Sequence, residues 1–112
     1  MSKIYIPHYS ARFDYESAKS FGQTTPITDR AFSFNYDANG QTTLRIEMAK
    51  AANAFDEFDD YMVLSGVPLN TAYFLQLLAL REITTVRCLV WNSNDGAYSL
   101  GIYKAPSIGD IA

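Results

Sequence analysis

The sequence is poor in the residues that build reactive centres. It has one cysteine, Cys88, and one histidine, His8, among 112 residues. A single cysteine excludes an intramolecular disulfide and a thiolate metal cluster. Any histidine-based acid–base chemistry must use His8, which lies near the end of a predicted strand, where a histidine is usually structural. These absences favour a reducing intracellular setting and a protein that is not an enzyme and holds no cofactor and no metal.

Charge is also scarce. Charged residues make up 19% of the chain, with nine basic and twelve acidic residues and a formal net charge of −3. Nucleic-acid binders usually carry a basic face, whereas the basic residues here are scattered along the sequence and do not alternate with the aromatic ones. Nucleic acid is therefore disfavoured as a partner.

Long apolar runs are missing. The longest falls short of the roughly 20 residues that span a bilayer, and Gln76 and Arg81 interrupt it. The N-terminal residues lack the apolar core of a signal peptide. We expect no membrane segment and a cytoplasmic location.

Apolar and aromatic residues are plentiful. Hydrophobic residues make up 48% of the chain, with eight Tyr, seven Phe and one Trp. This is enough for one domain, residues 1–112, with a real core. With so few charges, part of the aromatic surface is expected to be exposed, which favours a protein partner.

The stretch 60–92 organises the fold. Residues 61–64 form a short apolar run that ends at Ser65 and Gly66, and Pro68 stands where a helix could begin. Residues 69–83 are apolar almost throughout, and the β-branched, aromatic run 85–92 follows. The pattern predicts a βαβ unit and hence an α/β fold.

The rest of the chain extends this sheet. Asn92–Gly96 is a hairpin signal, so residues 97–104 should return as an antiparallel strand. We predict a small mixed sheet with a parallel centre, covered by two or three helices, and a loosely held tail over 105–112. The predicted strands are 3–9, 24–28, 60–64, 85–92 and 97–104, and the predicted helices are 15–21 (ended by a left-handed Gly22), 43–58 and 69–83.

Two points stay open. Residues 32–37 and 41–48 could pair as a hairpin across Asn39-Gly40, with residues 61–64 helical, which would make an α+β fold. The helix 69–83 has little polar face, so another element or a second subunit must cover it. The second case would make the chain a homo-oligomeric structural protein.

A ligand site is conceivable at the turn after the strand 60–64. In open α/β sheets ligands favour the carboxyl ends of the strands, and a helix N-terminus offers free N–H groups to an anion. The turn lacks a glycine-rich phosphate motif and has no Lys or Arg nearby in sequence, so a capped turn is the more economical interpretation. The candidate ligand-binding residues are Ser65, Gly66, Asn70 and Thr71.

Two stretches are candidates for partner contact. One is an acidic corner with Asp56, Asp59 and Asp60, whose carboxylates lack the spacing of a calcium loop. The other is an aromatic stripe with Phe32, Phe34 and Tyr36 at strand period. Cys88, in mid-strand, is expected to be inert packing.

Spaced pieces of the sequence resemble small uncharacterised proteins encoded by bacteriophages. They are residues 3–6, 13–22 and Thr28 in the first half, and 60–66 and 89–91 in the second. Residues 32–41 take no part in the resemblance. It implies a phage accessory origin and carries no catalytic residues over.

The leading hypothesis is therefore a non-enzymatic protein-binding module that binds or inhibits a host macromolecule. Its basis is small size, negative charge, surplus aromatic residues and the lack of a catalytic set. The alternatives are a binder of a nucleotide-like anion at residues 65–71 and a homo-oligomeric structural protein.

Overall fold

The computed structural model describes residues 1–32 and 38–112, of which 38–40 by backbone alone. Phe34 and Tyr36 of the predicted aromatic stripe lie outside the described residues. The helices and strands of the described part are β1 Lys3–Ile6, a 3₁₀ helix Glu16–Ser20, β2 Gln23–Pro26, α1 Ala38–Ala54, β3 Tyr61–Leu64, α2 Pro68–Leu80, β4 Thr85–Asn92, β5 Ala97–Lys104 and a 3₁₀ helix Ile108–Asp110.

The five strands form one mixed sheet in the order β2-β1-β3-β4-β5. The pairs β1/β2, β1/β3 and β3/β4 are parallel, and β4/β5 is antiparallel. The predicted α/β fold is confirmed, including the βαβ unit and the C-terminal hairpin. The α+β alternative is wrong, because residues 61–64 form a strand and residues 41–48 lie inside α1.

The sheet is covered differently on its two faces. The chain steps from β1 outward to β2, then back across β1 to β3 and on to β4. Because crossovers between parallel strands are right-handed, a reversal of direction moves the connecting segment to the opposite face. Hence α1 and α2 share one face, while residues 9–22, here called the cover segment, lie on the other.

Each face has its own core. The first lies between the sheet and the two α-helices, and the second lies beneath the cover segment. The helix-side core contains Tyr5, Leu44, Met48, Ala52, Phe55, Met62, Phe74, Leu78, Ile83, Val86 and Cys88. The core under the cover segment contains Ile4, Ile6, Tyr15, Ala18, Val63, Leu89 and Tyr98.

Helix α2 begins and ends where its backbone groups find partners. Pro68 occupies the first turn, where the missing N–H costs nothing. The helix ends at Leu80, three residues before the predicted end, because Glu82 takes a left-handed conformation (φ 61°). The Ile83 N–H then donates to the Leu78 carbonyl at 3.0 Å, which closes the helix in the usual C-terminal manner.

Helix α2 is partly covered by the rest of the described chain. Asn70, Phe74 and Leu78 are buried, while Leu69 and Leu80 are 53% and 82% exposed. Another element therefore covers part of the helix, and no described residue covers these two side chains. Cover by a second subunit stays a prediction.

Helix α1 spans Ala38–Ala54 rather than the predicted 43–58. It begins early because the Asn39-Gly40 turn signal is a weak local preference, which the packing of Leu44 and Met48 against the sheet overrides. It ends early because Arg81 donates to the carbonyls of Ala52 and Phe55, satisfying groups that another helical turn would have used.

The segment around Gly22 differs from its prediction in a similar way. The predicted helix 15–21 is a 3₁₀ helix over Glu16–Ser20, and Gly22 does not have a positive φ. A Cβ on Gly22 would lie 2.4 Å from the Ser2 carbonyl oxygen. Glycine is required there by a close approach between backbones and not by a left-handed turn.

In the described part of the chain, neither α-helix has the length and the apolar character needed to cross a bilayer.

Asn70, at the start of α2, joins three segments. Its Nδ2 donates to the carbonyls of Pro7 (3.1 Å) and Arg30 (2.8 Å), and its Oδ1 accepts from the Phe32 N–H at 3.0 Å. The side chain is fully buried. These bonds attach the ends of β1 and of the loop after β2 to the first turn of α2.

We predict that Asn70→Ala lowers the free energy of unfolding by about 3 kcal/mol, because one buried and two partly buried backbone groups lose their partner together. Urea denaturation followed by circular dichroism measures the change. The matched control is Asn53→Ala at an exposed position of α1, which should change stability by less than about 0.5 kcal/mol. Equal effects of the two substitutions would contradict the structural role of Asn70.

Candidate functional site

The strand order creates one natural place for a ligand. The connections from β1 and β3 leave in opposite directions although the strands are neighbours, so a crevice opens at their carboxyl ends. Open α/β sheets bind ligands at such a point. Pro7 and His8 follow β1 there, and Ser65, Gly66 and Val67 follow β3.

In this protein the crevice is filled by the chain itself. His8 Nδ1 accepts a hydrogen bond of 2.9 Å from the Val67 N–H. The imidazole lies so close to Gly66 that a Cβ there would be 2.2 Å from His8 Nδ1, and Gly66 also has a positive φ of 76°. Glycine at 66 therefore makes room for the histidine, and His8 has a structural contact at this point.

The predicted ligand residues are partly brought together. Ser65, Gly66 and Thr71 line a groove of about 380 Å³ on the helix side, together with apolar residues of β3 and α2. Asn70 is not part of this groove. The groove contains no basic side chain, and the Val67 N–H is already bonded to His8. Anion binding at residues 65–71 stays a prediction.

A second cavity, of about 350 Å³, lies on the other side of Ser65, beneath the cover segment. A volume of this size is at the lower end of the range for small-ligand pockets. Its walls are mainly aromatic and apolar, with one charge of each sign at the rim. The lining residues are Arg12, Phe13, Asp14, Leu64, Ser65, Trp91 and Tyr98.

A column of aromatic rings leads from the core to this pocket. Tyr15 is stacked between Tyr9 and Tyr98, with centroid distances of 5.5 and 6.2 Å. Trp91 meets Tyr98 edge-on at 5.2 Å and is 44% exposed. Burial, with smaller contributions from Tyr15 and Asp14, raises the pKa of Tyr98 to about 12, so its hydroxyl stays protonated near neutral pH. The column supports a binding surface and offers no general base.

The acidic corner is organised from within. Asp60 is buried, and its carboxylate accepts from the backbone N–H groups of Lys3 (2.9 Å) and Asp56 (2.8 Å). Asp59 is exposed and accepts from the Ser2 hydroxyl, and Asp56 is exposed and accepts from the Phe58 N–H. Asp56 and Asp59 remain candidate contacts, whereas Asp60 faces inward.

Phe32, from the predicted aromatic stripe, is half-buried. Its ring lies 5.1 Å from that of Tyr73 on α2. Together with Leu69, Ala72 and Gln76 these two rings line a groove of about 230 Å³. Contact of a partner with Phe32 stays a prediction.

An exposed apolar area lies on the sheet where the cover segment ends. The cover segment reaches Leu89 and Tyr98 but not the outer part of β4 and β5. Leu100 and Ile102 are 52% and 59% exposed there, on the same face as Trp91. We call this area the open face, and its residues are Arg87, Trp91, Leu100, Ile102 and Lys104.

Sequence reasoning did not select the open face. The hairpin was predicted, and strand alternation puts residues 87, 89 and 91 of β4 on the same face as their partners 102, 100 and 98 of β5. The signal was therefore present in the register. Which face would be left uncovered depends on the length and path of the cover segment, which has no local pattern.

Arg87 lies at the inner border of the open face. Its guanidinium carbon is 4.2 Å from the centre of the Tyr61 ring, and Nη1 donates to the Tyr61 hydroxyl at 3.3 Å. Nε and Nη2 are buried and have no hydrogen-bond partner among the described residues. These two atoms form the edge of the guanidinium group that binds a carboxylate with two parallel hydrogen bonds.

The cysteine and the possible metal ligands do not form a reactive centre in the described part of the chain. Cys88 is buried in the helix-side core, and burial raises the pKa of its thiol. Over residues 1–32 and 38–112, no three His, Cys, Asp or Glu side chains converge as ligands of a metal ion.

The family model described as phage Pam3 gp32-like protein matches residues 2–102, from β1 into β5. The resemblance to phage proteins seen in the sequence is confirmed by this match. No curated protein and no solved structure matches the chain.

We predict that Arg87→Met leaves the free energy of unfolding unchanged or raises it by about 1 kcal/mol. The two unpaired buried donors of Arg87 destabilise the folded chain by more than its cation–π contact, roughly 1 kcal/mol, stabilises it. Methionine removes these donors and keeps the apolar packing over Tyr61. Arg45→Met, at an exposed position of α1, is the matched control in the same urea titration. A loss of more than about 1 kcal/mol in the Arg87 variant alone would show that the guanidinium is a net structural support.

Proposed function

Because the chain belongs to the phage Pam3 gp32-like protein family, we propose that it is a phage accessory protein that binds another protein in the host cytoplasm. The binding surface is the open face, and the 350 Å³ cavity that Trp91 lines lies beside it. The protein acts without catalysis, by occupying a surface of its partner.

The observation that carries this proposal is the cluster of exposed apolar side chains on one face of the hairpin. Trp91, Leu100 and Ile102 are each between 44% and 59% exposed, and they lie on one face of the hairpin formed by β4 and the edge strand β5. Contiguous apolar and aromatic patches of this kind are typical of protein interfaces. A tryptophan over a pocket is the residue type that most often dominates binding energy at such surfaces.

The acidic corner and the Phe32 groove are further candidate contacts. Asp56 and Asp59 surround Phe58, which is 85% exposed. An interface centred there would favour a basic partner, whereas the open face, with Arg87 and Lys104, does not. The two surfaces can therefore be told apart by substitution.

We predict that Leu100→Asp abolishes capture of the partner from host lysate at stringent salt, with binding at least about tenfold weaker, because it puts an unpaired charge into an apolar interface. Two matched substitutions at exposed apolar positions serve as controls, Phe58→Asp at the acidic corner and Leu80→Asp at the end of α2. Selective loss with Phe58→Asp would move the interface to the corner. If the wild-type chain retains no protein, the proposal fails.

A small-ligand function is the second candidate, because the 350 and 380 Å³ cavities share Leu64 and Ser65. If this function holds, a nucleotide should raise the melting temperature of the protein, and Thr71→Val should remove the increase. Thr71 is a better probe than Gly66, since any side chain at 66 would strain the turn and collide with His8. A panel of mononucleotides and cyclic oligonucleotides without effect would leave this candidate unsupported.

A further inference from the structure

We propose that Arg87 binds a carboxylate of the partner protein, so that the open face recognises an acidic side chain set among apolar ones. This rests on the proposed function and adds the chemistry of the partner to it.

The first support is the unused edge of the guanidinium group. The Tyr61 hydroxyl accepts from Nη1, while Nε and Nη2 have no acceptor among the described residues. A buried donor without a partner is unfavourable in the free chain, and it gains most when an anionic acceptor arrives. The planar Nε/Nη2 edge matches the two oxygens of a carboxylate.

The second support is the place of this edge on the sheet. Arg87 is the register neighbour of Ile102 on β5, and on its other side the parallel pairing of β3 and β4 puts Tyr61 beside it. Ile102 and the next residue on that face, Lys104, are both exposed. Because both nitrogens are buried and have no acceptor among the described residues, our proposal requires the guanidinium group or a neighbouring side chain to rotate when a carboxylate arrives.

The third support is charge complementarity. On the open face the charged side chains are Arg87 and Lys104, both positive, in a chain whose net charge is −3. The partner's contact region should therefore carry one acidic group for Arg87 and apolar groups for Leu100 and Ile102. A basic contact region would be repelled.

A display library of random peptides, selected in parallel on immobilised wild-type protein and on the Arg87→Met and Arg87→Lys variants, tests this. We expect Asp or Glu flanked by apolar residues to be enriched on the wild type. Peptides from that pool should bind both variants about tenfold more weakly, since Lys keeps the charge but lacks the two-pronged edge. Arg45→Met is the control and should select the same peptides as the wild type.

A spectroscopic readout separates direct contact from a change in folding. Titration of one selected peptide should move the side-chain Nε–H resonance of Arg87 in a ¹H–¹⁵N spectrum, and the same peptide with Gln in place of its acidic residue should not. Apolar peptides without acidic residues in every pool would overturn the assignment to Arg87 and leave the protein-binding function standing. If no peptide is enriched on any of the three proteins, the result contradicts both the assignment to Arg87 and the protein-binding function. Light scattering of the free chain shows whether a second copy already occupies the open face. A dimer that is lost with Leu100→Asp would also overturn the assignment of Arg87 to a partner's carboxylate.

Discussion

The hydrogen bonds of His8 and Asn70 hold the chain together at the divergence of β1 and β3. In open α/β sheets the divergence of two strands leaves a crevice that ligands commonly occupy. Here His8 reaches across it to the Val67 N–H, and Asn70 holds the loops on either side. The protein's own polar groups therefore occupy part of this crevice, and the open face lies farther along the sheet.

The closure also explains the path of the cover segment. After β1 ends at Ile6, the chain must reach β2 on the face opposite the helices, and residues 9–22 cover β1, β3, Leu89 and Tyr98 there. The aromatic column ends at Trp91, and beyond it Leu100 and Ile102 have no cover within the described chain. The exposed apolar area thus follows from topology and segment length, and not from local sequence.

The sequence predicted the fold well because its turn-forming residues stand where its hydrophobic periodicity changes. Gly66 and Pro68 mark the strand–helix turn, and Asn92–Gly96 marks the hairpin, so both units could be placed in register. The errors arose where one residue type serves two purposes. Gly22 permits a close backbone approach and not a left-handed cap, and Asn39-Gly40 lies inside a helix that tertiary packing stabilises.

The candidate site was less predictable for a physical reason. A ligand turn such as 65–71 can be proposed from spacing alone, but whether its donors are free depends on His8, which is 59 positions away from Val67 in the chain. The burial of Asp60 depends likewise on the Lys3 backbone, 57 positions away. Long-range contacts of this kind leave no periodic pattern in the sequence. Only the folded chain therefore shows which polar residues are structural and which are exposed.

Arg87 shows how such a contact can point to function. A buried guanidinium group with one edge unpaired lowers the stability of the free chain, and a methionine would fit the same space over Tyr61 without that cost. Natural sequences depart from the locally optimal residue mainly where the departure serves binding or catalysis. Among the described residues the Arg87 side chain bonds only the Tyr61 hydroxyl, and recognition of an anionic group is the use that we propose for its unpaired edge. The neighbouring strand β5 places Leu100 and Ile102 on the same face, so a partner segment bound in the proposed way would meet the charge and the apolar surface together.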